Sequence, residues 1–263
     1  MEESKNSYYI PAFIIFIGLM VAGGIYYSKN NKPSLVNNNS SFQSDININP
    51  VSSTDHILGN PNAEAVIVEF SDTECPFCRI FQNTMQNIMN TYGKEGKVAW
   101  VYRHFPIDEL HSKSRKEAES TECANELGGN TTFWKMLDMI YANTPSNNGL
   151  DASKLPEFAK NVGIDVTKFN ECLNSGKYAN LVAENFQDGV NAGARSTPYN
   201  VILLKTSITS EVKNQIDEYI SKNSLIDSDG NVFVSVSDSN KKIVINGALP
   251  LQNVKDILDL IVK

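Results

Sequence analysis

The chain has 263 residues, a formal net charge of −7 at pH 7 and four cysteines. The excess of acidic residues argues against a general nucleic-acid-binding protein, because such proteins neutralise phosphates with lysine and arginine. Four cysteines in a chain of this length exclude a disulfide-dense scaffold, although an even number is compatible with an oxidising compartment.

The N-terminal region begins with a short tail, residues 1–8, followed by an uncharged apolar segment, residues 9–27. A transmembrane helix needs about 20 apolar residues, and this segment is just long enough. Tyrosines lie at both of its ends, as in the aromatic belt of a membrane-spanning helix. The sequence therefore predicts an uncleaved transmembrane anchor, with a cleaved signal peptide as the alternative.

Residues 28–54 are rich in asparagine and serine and have no helical periodicity, which predicts a flexible linker. The remaining residues, 55–263, are enough for one domain with a full hydrophobic core. Residues 65–70 are apolar and β-branched, which is typical of a buried strand. Between residues 80 and 89 the apolar side chains recur at helical spacing, so a helix is predicted after this strand.

Two cysteines lie where this strand gives way to this helix, in the sequence Cys75-Pro76-Phe77-Cys78. Pro76 suits the first position of a helix, because its missing N–H would have no partner there. Cys75 is then the N-cap residue, and the positive end of the helix dipole favours its thiolate. Cys78 lies one turn further into the helix and is expected to be more covered. This arrangement is typical of a pair that exchanges disulfides.

Two other interpretations of the cysteine pair are a zinc site and a purely structural disulfide. A zinc site needs two more ligands, whereas the remaining cysteines, Cys123 and Cys172, are single and far apart. A disulfide across two residues would restrain little of the chain. We therefore expect a redox-active pair that works without a metal ion or a cofactor.

The rest of the domain combines strands and helices. Strands are predicted at residues 97–103, 199–204 and 241–248, and a closing helix at residues 251–262. Between the first two of these strands, residues 112–192 have helical periodicity that glycine and proline interrupt. A helical block between strands predicts an α/β domain with a helical insertion.

A second insertion is predicted at about residues 206–240. Residues 210–220 form an amphipathic pattern that predicts a helix, and residues 227–236 predict a turn and an extra strand. Asp227 and Asp229 are of a residue type that binds calcium, but the other ligands of an EF-hand loop are missing. A turn is the simpler interpretation of this pair.

Taken in order, these motifs resemble the DsbA-like branch of the thioredoxin superfamily. The resemblance runs from about residue 55 to the last residue and is carried by the following residues: Leu58-Gly-Asn-Pro61 with Ala63, Val66 to Phe70, Cys75 to Cys78, Tyr102-Arg-His-Phe-Pro106, Cys172-Leu173, Ser175-Gly-Lys-Tyr178, Gly189, Gly193, Thr197-Pro198 and Gly247-Ala248. It implies a thioredoxin fold with a helical insertion between the second core strand and the cis-proline strand. It also implies thiol–disulfide oxidoreductase activity.

The resemblance assigns a substrate-binding role to four residues. Pro198 is expected to follow a cis peptide bond and to face the redox pair, with an ordinary trans proline at the start of a strand as the alternative. Thr197 would then offer its backbone to an extended substrate segment beside Cys75. Pro76 and Phe77 would complete the substrate-binding surface.

Glu69 interrupts the apolar strand before the cysteine motif. An edge position facing water would explain it, but in the fold that the chain resembles this strand is central and often carries an acid. A buried carboxyl has a raised pKa and can relay protons to Cys78, so Glu69 is a candidate catalytic residue. Asp72 and Glu74 would oppose a thiolate and are expected to be solvated. His104 is expected to end a strand rather than to take part in catalysis.

The resemblance also implies a structural disulfide between Cys123 and Cys172, which lie on separate predicted helices. Such a bond would close a loop of about 50 residues and stabilise the fold by around 4 kcal/mol in the chain-entropy model. Two buried free thiols are the alternative.

The function that follows is that of a membrane-tethered dithiol oxidase that introduces disulfides into reduced or unfolded secreted polypeptides. The same fold could instead run toward reduction or isomerisation, or bind peptides without catalysis, although the intact cysteine pair argues against the last. A membrane redox partner would reoxidise the pair. A dithiol oxidant has little use in a reducing cytosol, so the domain is expected on the extracytoplasmic side of the cell membrane.

Overall fold

The computed structural model describes residues 46–226 and 232–263. At its centre is a mixed sheet with the strand order β1-β3-β2-β4-β6-β5. Among the strands that the structure describes, β2 and β3 pair in parallel and every other pair of neighbours is antiparallel. The strands are β1 (His56–Gly59), β2 (Ala65–Ser71), β3 (Val98–His104), β4 (Tyr199–Leu204), β5 (Val234–Val236) and β6 (Lys242–Asn246).

Helices flank the sheet on both faces. The first, α1 (Pro76–Ile88), follows β2 and continues into a π-helical turn (Met89–Gly93). The helical insertion between β3 and β4 consists of α2 (Ser114–Gly128), α3 (Asn130–Asn143), a 3-10 turn (Ala152–Lys154), α4 (Leu155–Asn161), α5 (Val166–Ser175) and α6 (Ala179–Ala192). The last two helices are α7 (Ser210–Lys222) and α8 (Leu251–Ile261). This is the α/β architecture with a helical insertion that the sequence predicts.

One face of the sheet forms the main core with α1, α3, α7 and α8. Strand side chains alternate between the two faces, so Ile67, Trp100 and Ile202 all point to this side. Against them pack apolar residues of the four helices: Phe81, Met85 and Ile88; Phe133, Trp134 and Leu137; Ile216 and Ile220; Val254, Ile257 and Leu258. The helix that carries the cysteine pair is therefore fixed against the centre of the sheet.

The opposite face of the sheet packs against α6 and the segment before β1. Ile46 is buried in this second cluster, and Arg103 donates hydrogen bonds to the backbone carbonyls of Asn49 and Pro50. The prediction that the flexible linker extends to residue 54 is therefore wrong for residues 46–54. The apolar side chains that hold this segment are too few and too widely spaced to show a pattern in the sequence.

The helical insertion has a small core of its own. Met136, Ile140 and Phe158 pack there against Phe169. Cys123 on α2 and Cys172 on α5 form a disulfide with a Cα–Cα distance of 5.9 Å, as the resemblance implies. The bond ties two helices that are separated by a long stretch of chain.

Other differences from the sequence-based expectations lie at the margins of the fold. Strand β1 pairs with β3 in a region where the sequence predicts no strand, because four residues with two apolar side chains give no usable periodicity. The predicted anchor at residues 9–27, the tail before it, Asp227 and Asp229 lie outside the described residues. Within the ranges that are described, no helix combines the length and the apolar character needed to cross a membrane.

Candidate active site

The cysteine motif occupies the junction of β2 and α1, as predicted. Cys75 is the N-cap residue of α1 with extended backbone angles (φ −77°, ψ 123°), and Pro76 takes the first helical position. Arg79 N–H donates the first helical hydrogen bond to the Cys75 carbonyl at 3.1 Å. The sulfur of Cys75 therefore lies where the unpaired N–H groups of the first turn are concentrated.

Both thiols are free in this structure, and their surroundings differ. The Cys78 thiol hydrogen-bonds to Cys75 and lowers the pKa of Cys75 to about 6; burial opposes this effect, while Thr197 and the backbone N–H groups of Phe77 and Cys78 support it. Cys78 is fully buried, and desolvation raises its pKa well above its ordinary value. Cys75 is thus the thiol suited to exist as a thiolate, and Cys78 is the one suited to hold its proton.

The peptide bond between Thr197 and Pro198 is cis, as the resemblance implies. It places the Thr197 carbonyl oxygen 3.5 Å from the sulfur of Cys75, which donates a hydrogen bond to it. The Pro198 carbonyl accepts a hydrogen bond from Gly247 N–H at 2.8 Å, which fixes the loop to the end of β6. The cysteine pair and this loop therefore form one surface.

Glu69 lies on the central strand β2 and is fully buried, so the alternative of an edge position facing water is wrong. Trp100 Nε1 donates a hydrogen bond to Glu69 Oε2 at 3.0 Å. Burial raises the pKa of Glu69 to about 7, and the polar side chains of Ser71 and Trp100 offset only part of this rise. The negative charge of Glu69 in turn raises the pKa of Cys78, so the two groups are close enough to affect each other.

A chain of hydroxyl groups lies beside Glu69 on the same face of the sheet. Ser71 Oγ is 3.0 Å from the Tyr141 hydroxyl, which is 3.0 Å from the Tyr102 hydroxyl. All three side chains are buried. Sequence reasoning did not find this network, because Tyr141 reaches it from α3, far away in the chain.

Asp72 and Glu74 are buried, so the expectation that they are solvated is wrong. Asp72 Oδ2 accepts hydrogen bonds from Ile107 N–H at 2.8 Å and from His111 Nδ1 at 2.9 Å. Glu74 accepts hydrogen bonds from Leu150 N–H at 3.0 Å and from its neighbours in the loop after α3. These partners come from distant parts of the chain, which is why the sequence beside the motif does not reveal them.

A further buried carboxyl, Glu117 of α2, lies next to these two. Thr73 Oγ1 donates a hydrogen bond to Glu117 Oε2 at 2.7 Å. Burial, together with the neighbouring Glu74 and Asp72, raises the pKa of Glu117 to about 8. Hydrogen bonds to these carboxyl groups thus hold the loop before Cys75 to the helical insertion. Ionising all of the carboxyl groups would cost free energy, because like charges would lie together in a buried site.

Two apolar side chains next to the thiols are exposed. Phe77 and Ile80 are each 61% exposed on the first turns of α1, and Pro76 beside them is half-buried. Large apolar side chains at a reactive surface are typical of a site that contacts another polypeptide.

His104 ends β3, as expected. Its Nε2 atom lies 2.9 Å from Glu122 Oε1, and His56 Nε2 lies 2.9 Å from the same oxygen. Burial opposes ionisation of Glu122, but hydrogen bonds from His104 and His56 outweigh it and lower the pKa of Glu122 to about 2. This buried cluster joins β1 and β3 to α2. In the part of the chain that the structure describes, no group of three or more histidine, cysteine or acidic side chains is arranged to hold a metal ion.

We compared the chain with protein-family models and with curated sequences. A family model described as Thioredoxin matches residues 51–222. The Na(+)/H(+) antiporter NhaA 3 of Salinispora tropica is 27% identical over 168 residues, which are 59% of this chain but only 24% of the antiporter. The chain therefore spans a minor part of the curated relatives that it matches.

Two solved structures share the fold. Pseudomonas aeruginosa DsbA2 has a TM-score of 0.55 at 20% identity, with 80% of this chain and 96% of that protein covered. Wolbachia pipientis alpha-DsbA1 has a TM-score of 0.58 at 20% identity, with 81% of this chain and 92% of that protein covered. The domain therefore has a DsbA-like thioredoxin fold.

Proposed function

This chain belongs to the thioredoxin family, and from that premise we propose that it is a thiol–disulfide oxidoreductase whose redox pair is Cys75 and Cys78. The observation that carries the proposal is the contrast between the two thiols. Cys75, 5% exposed at a helix N-terminus, has its pKa lowered to about 6, whereas the pKa of the fully buried Cys78 is raised. One sulfur is suited to attack and to leave, and the other to resolve the intermediate.

The reaction that we propose begins with the oxidised pair. A substrate thiolate attacks Cys75 Sγ, the Cys75–Cys78 bond breaks, and its electron pair goes to Cys78 Sγ, which takes a proton. A second substrate thiolate then attacks the substrate sulfur of the mixed disulfide, and Cys75 leaves as a thiolate. The substrate is oxidised by two electrons and the enzyme pair is reduced by two.

We propose oxidation as the physiological direction. A thiolate stabilised at Cys75 lowers the free energy of the reduced pair, which makes the disulfide form the better oxidant. The buried disulfide between Cys123 and Cys172 is the kind of bond that persists in an oxidising compartment. This supports the proposal that the domain works on the extracytoplasmic side of the membrane, tethered by residues 9–27.

The substrates that we propose are reduced, extended segments of secreted polypeptides. The Thr197 backbone next to Cys75 can pair with such a segment, and the exposed Phe77 and Ile80 can contact its apolar side chains. A membrane redox partner would then reoxidise Cys75 and Cys78 by the reverse exchange.

A reductase is the second candidate function, and one observation favours it. Thiolates of cysteines in motifs of this kind have pKa values of roughly 3.5 to 7, with the stronger oxidants at the low end. The pKa of about 6 at Cys75 lies toward the other end of this range.

The test is the equilibrium of the full chain with reduced and oxidised glutathione, with oxidation of a reduced test protein measured in parallel. An oxidase should equilibrate as a weaker reductant than glutathione and should form disulfides in the test protein. The Cys75→Ser variant should lose both properties, whereas Cys78→Ser should trap mixed disulfides. A pair that stays oxidised in excess reduced glutathione would favour the reductase, and a wild-type chain without exchange would contradict both functions.

A further inference from the structure

Glu69 on β2 and Asn200 on β4 lie directly opposite each other in the antiparallel pair at the centre of the sheet. Residues in such positions point to the same face, with their Cβ atoms about 4.5–5.5 Å apart. Both side chains are fully buried, so water does not compete for their polar atoms. Asn200 has no part in the reaction described above.

Two oxygen atoms at this position have no hydrogen-bond partner among the described residues, Glu69 Oε1 and Asn200 Oδ1. The Asn200 amide is oriented by its Nδ2 group, which donates to the Ile245 carbonyl at 3.3 Å and leaves Oδ1 as the free atom. An ionised carboxylate and an amide oxygen are both acceptors and cannot pair. A proton on Glu69 turns one of them into a donor, and one hydrogen bond then satisfies both atoms.

We propose that Asn200 is a positioning residue that accepts a hydrogen bond from protonated Glu69 and so holds a proton beneath Cys78. This inference rests on the proposed function, because the proton on Glu69 serves the disulfide exchange proposed above. It predicts that Asn200, rather than burial alone, sets the pH at which Glu69 ionises.

The other titratable groups that interact with Glu69 are known from the structure. Among the described residues they are Cys75 at the N-cap of α1, Cys78 of α1, Tyr102 of β3 and Tyr141 of α3. All of them are acids, so none supplies a positive charge that would favour the carboxylate. Because the pKa of Glu69 is raised to about 7, about half of the molecules keep this proton at pH 7.

The proton on Glu69 is useful in the step where Cys78 leaves. When a substrate thiolate attacks Cys75 Sγ, the electron pair of the broken S–S bond goes to Cys78 Sγ. Glu69 then gives its proton to that thiolate and becomes a carboxylate, which later takes a proton from solvent. In resolution by Cys78, the same proton returns from the thiol to Glu69.

The experiment is an infrared pH titration of the reduced full chain, which follows the C=O stretch of the protonated carboxyl group. Glu69→Gln identifies the band by removing it. Asn200→Leu, which has the same branching and number of heavy side-chain atoms but no acceptor, should lower the midpoint of the Glu69 titration by about one pH unit. Asn200→Asp should raise it, because two facing carboxyls share one proton.

Ile202→Val, two residues further along β4 and on the same face, is the matched control and should leave the midpoint unchanged. An unchanged or higher midpoint in Asn200→Leu would overturn the proposal, as would an unchanged or lower one in Asn200→Asp. If one variant does not fold, the other decides. The titration does not require catalytic turnover. A wild-type chain without exchange activity would therefore refute the proposed function, whereas the role of Asn200 is decided by the titration alone.

Discussion

The sulfur of Cys75 lies 3.5 Å from the carbonyl oxygen of Thr197, so this thiol and the loop before β4 form a single surface. In the chain the two residues are separated by α1, β3 and the helical insertion, so they meet only in the folded domain. A substrate segment that pairs with the Thr197 backbone would present its own sulfur to Cys75. In the function that we propose, this position would serve both recognition of the substrate and exchange of the disulfide.

The first prediction concerns which thiol reacts. In the reduced full chain, iodoacetamide should label Cys75 first, because its pKa is lowered to about 6 while that of the buried Cys78 is raised. The labelling rate should reach half its maximum near that pH, and mass spectrometry should locate the adduct. Cys75→Ser should lose the fast phase, and preferential labelling of Cys78 in the wild type would show that the assignment is wrong.

The second prediction concerns the structural disulfide. The bond joins cysteines 49 positions apart, and removing both with Cys123→Ala and Cys172→Ala should destabilise the chain by about 4 kcal/mol. Denaturant unfolding measures the change, with the redox pair reduced throughout. As a control, the double variant Cys75→Ala and Cys78→Ala keeps the bond between Cys123 and Cys172. It should therefore keep the stability that comes from closing this long loop. Equal stability of the wild type and the Cys123/Cys172 double variant would argue that the bond does not restrain the unfolded chain.

The third prediction follows from the buried carboxyl of Glu117. Its pKa is raised from 4.5 to about 8 in the folded chain, so between these values the folded state holds a proton that the unfolded state has lost. The folded state is therefore favoured most below pH 4.5 and loses this advantage as the pH rises toward 8. Glu117→Gln should be more stable than the wild type at pH 8, by on the order of 2 kcal/mol, and similar to it at pH 4.

The matched control for this variant is Glu126→Gln on the same helix. A hydrogen bond from Lys177 lowers the pKa of Glu126, so its contribution to stability has the opposite dependence on pH. Thermal unfolding of both variants at pH 4 and pH 8 separates the two cases. A Glu117→Gln variant that is less stable than the wild type at pH 8 would mean that the carboxylate form is favoured there.

Much of the site can be predicted from the sequence because its determinants are local. Pro76 fixes the start of α1, which places Cys75 at the N-cap, and the apolar periodicity after it buries Cys78. The strand pattern around Glu69 gives its burial once the strand is known to be central. Local patterns of this kind also give nearly all of the helices and strands.

The parts that could not be predicted depend on partners far away in the chain. Asp72 can be buried because Ile107 and His111 supply hydrogen bonds to its carboxylate, and the sequence next to Asp72 does not indicate these partners. The position of Asn200 opposite Glu69 follows from the register of β2 with β4, which depends on the whole sheet. Such long-range contacts decide whether a charged or polar group is buried. From the residue type alone, these groups are expected to be exposed to solvent.

The most direct test of the oxidase function is thermal unfolding of the full chain with the Cys75–Cys78 pair either oxidised or reduced. The measurement is made at neutral pH with the bond between Cys123 and Cys172 intact in both states. A thiolate stabilised at Cys75 makes the reduced state the more stable one, and each 30 mV of oxidising potential corresponds to about 1.4 kcal/mol. The reduced chain should therefore melt at the higher temperature, by roughly 2–4 °C for every kcal/mol. An oxidised chain that melts at the higher temperature would contradict the oxidase and support a reductase.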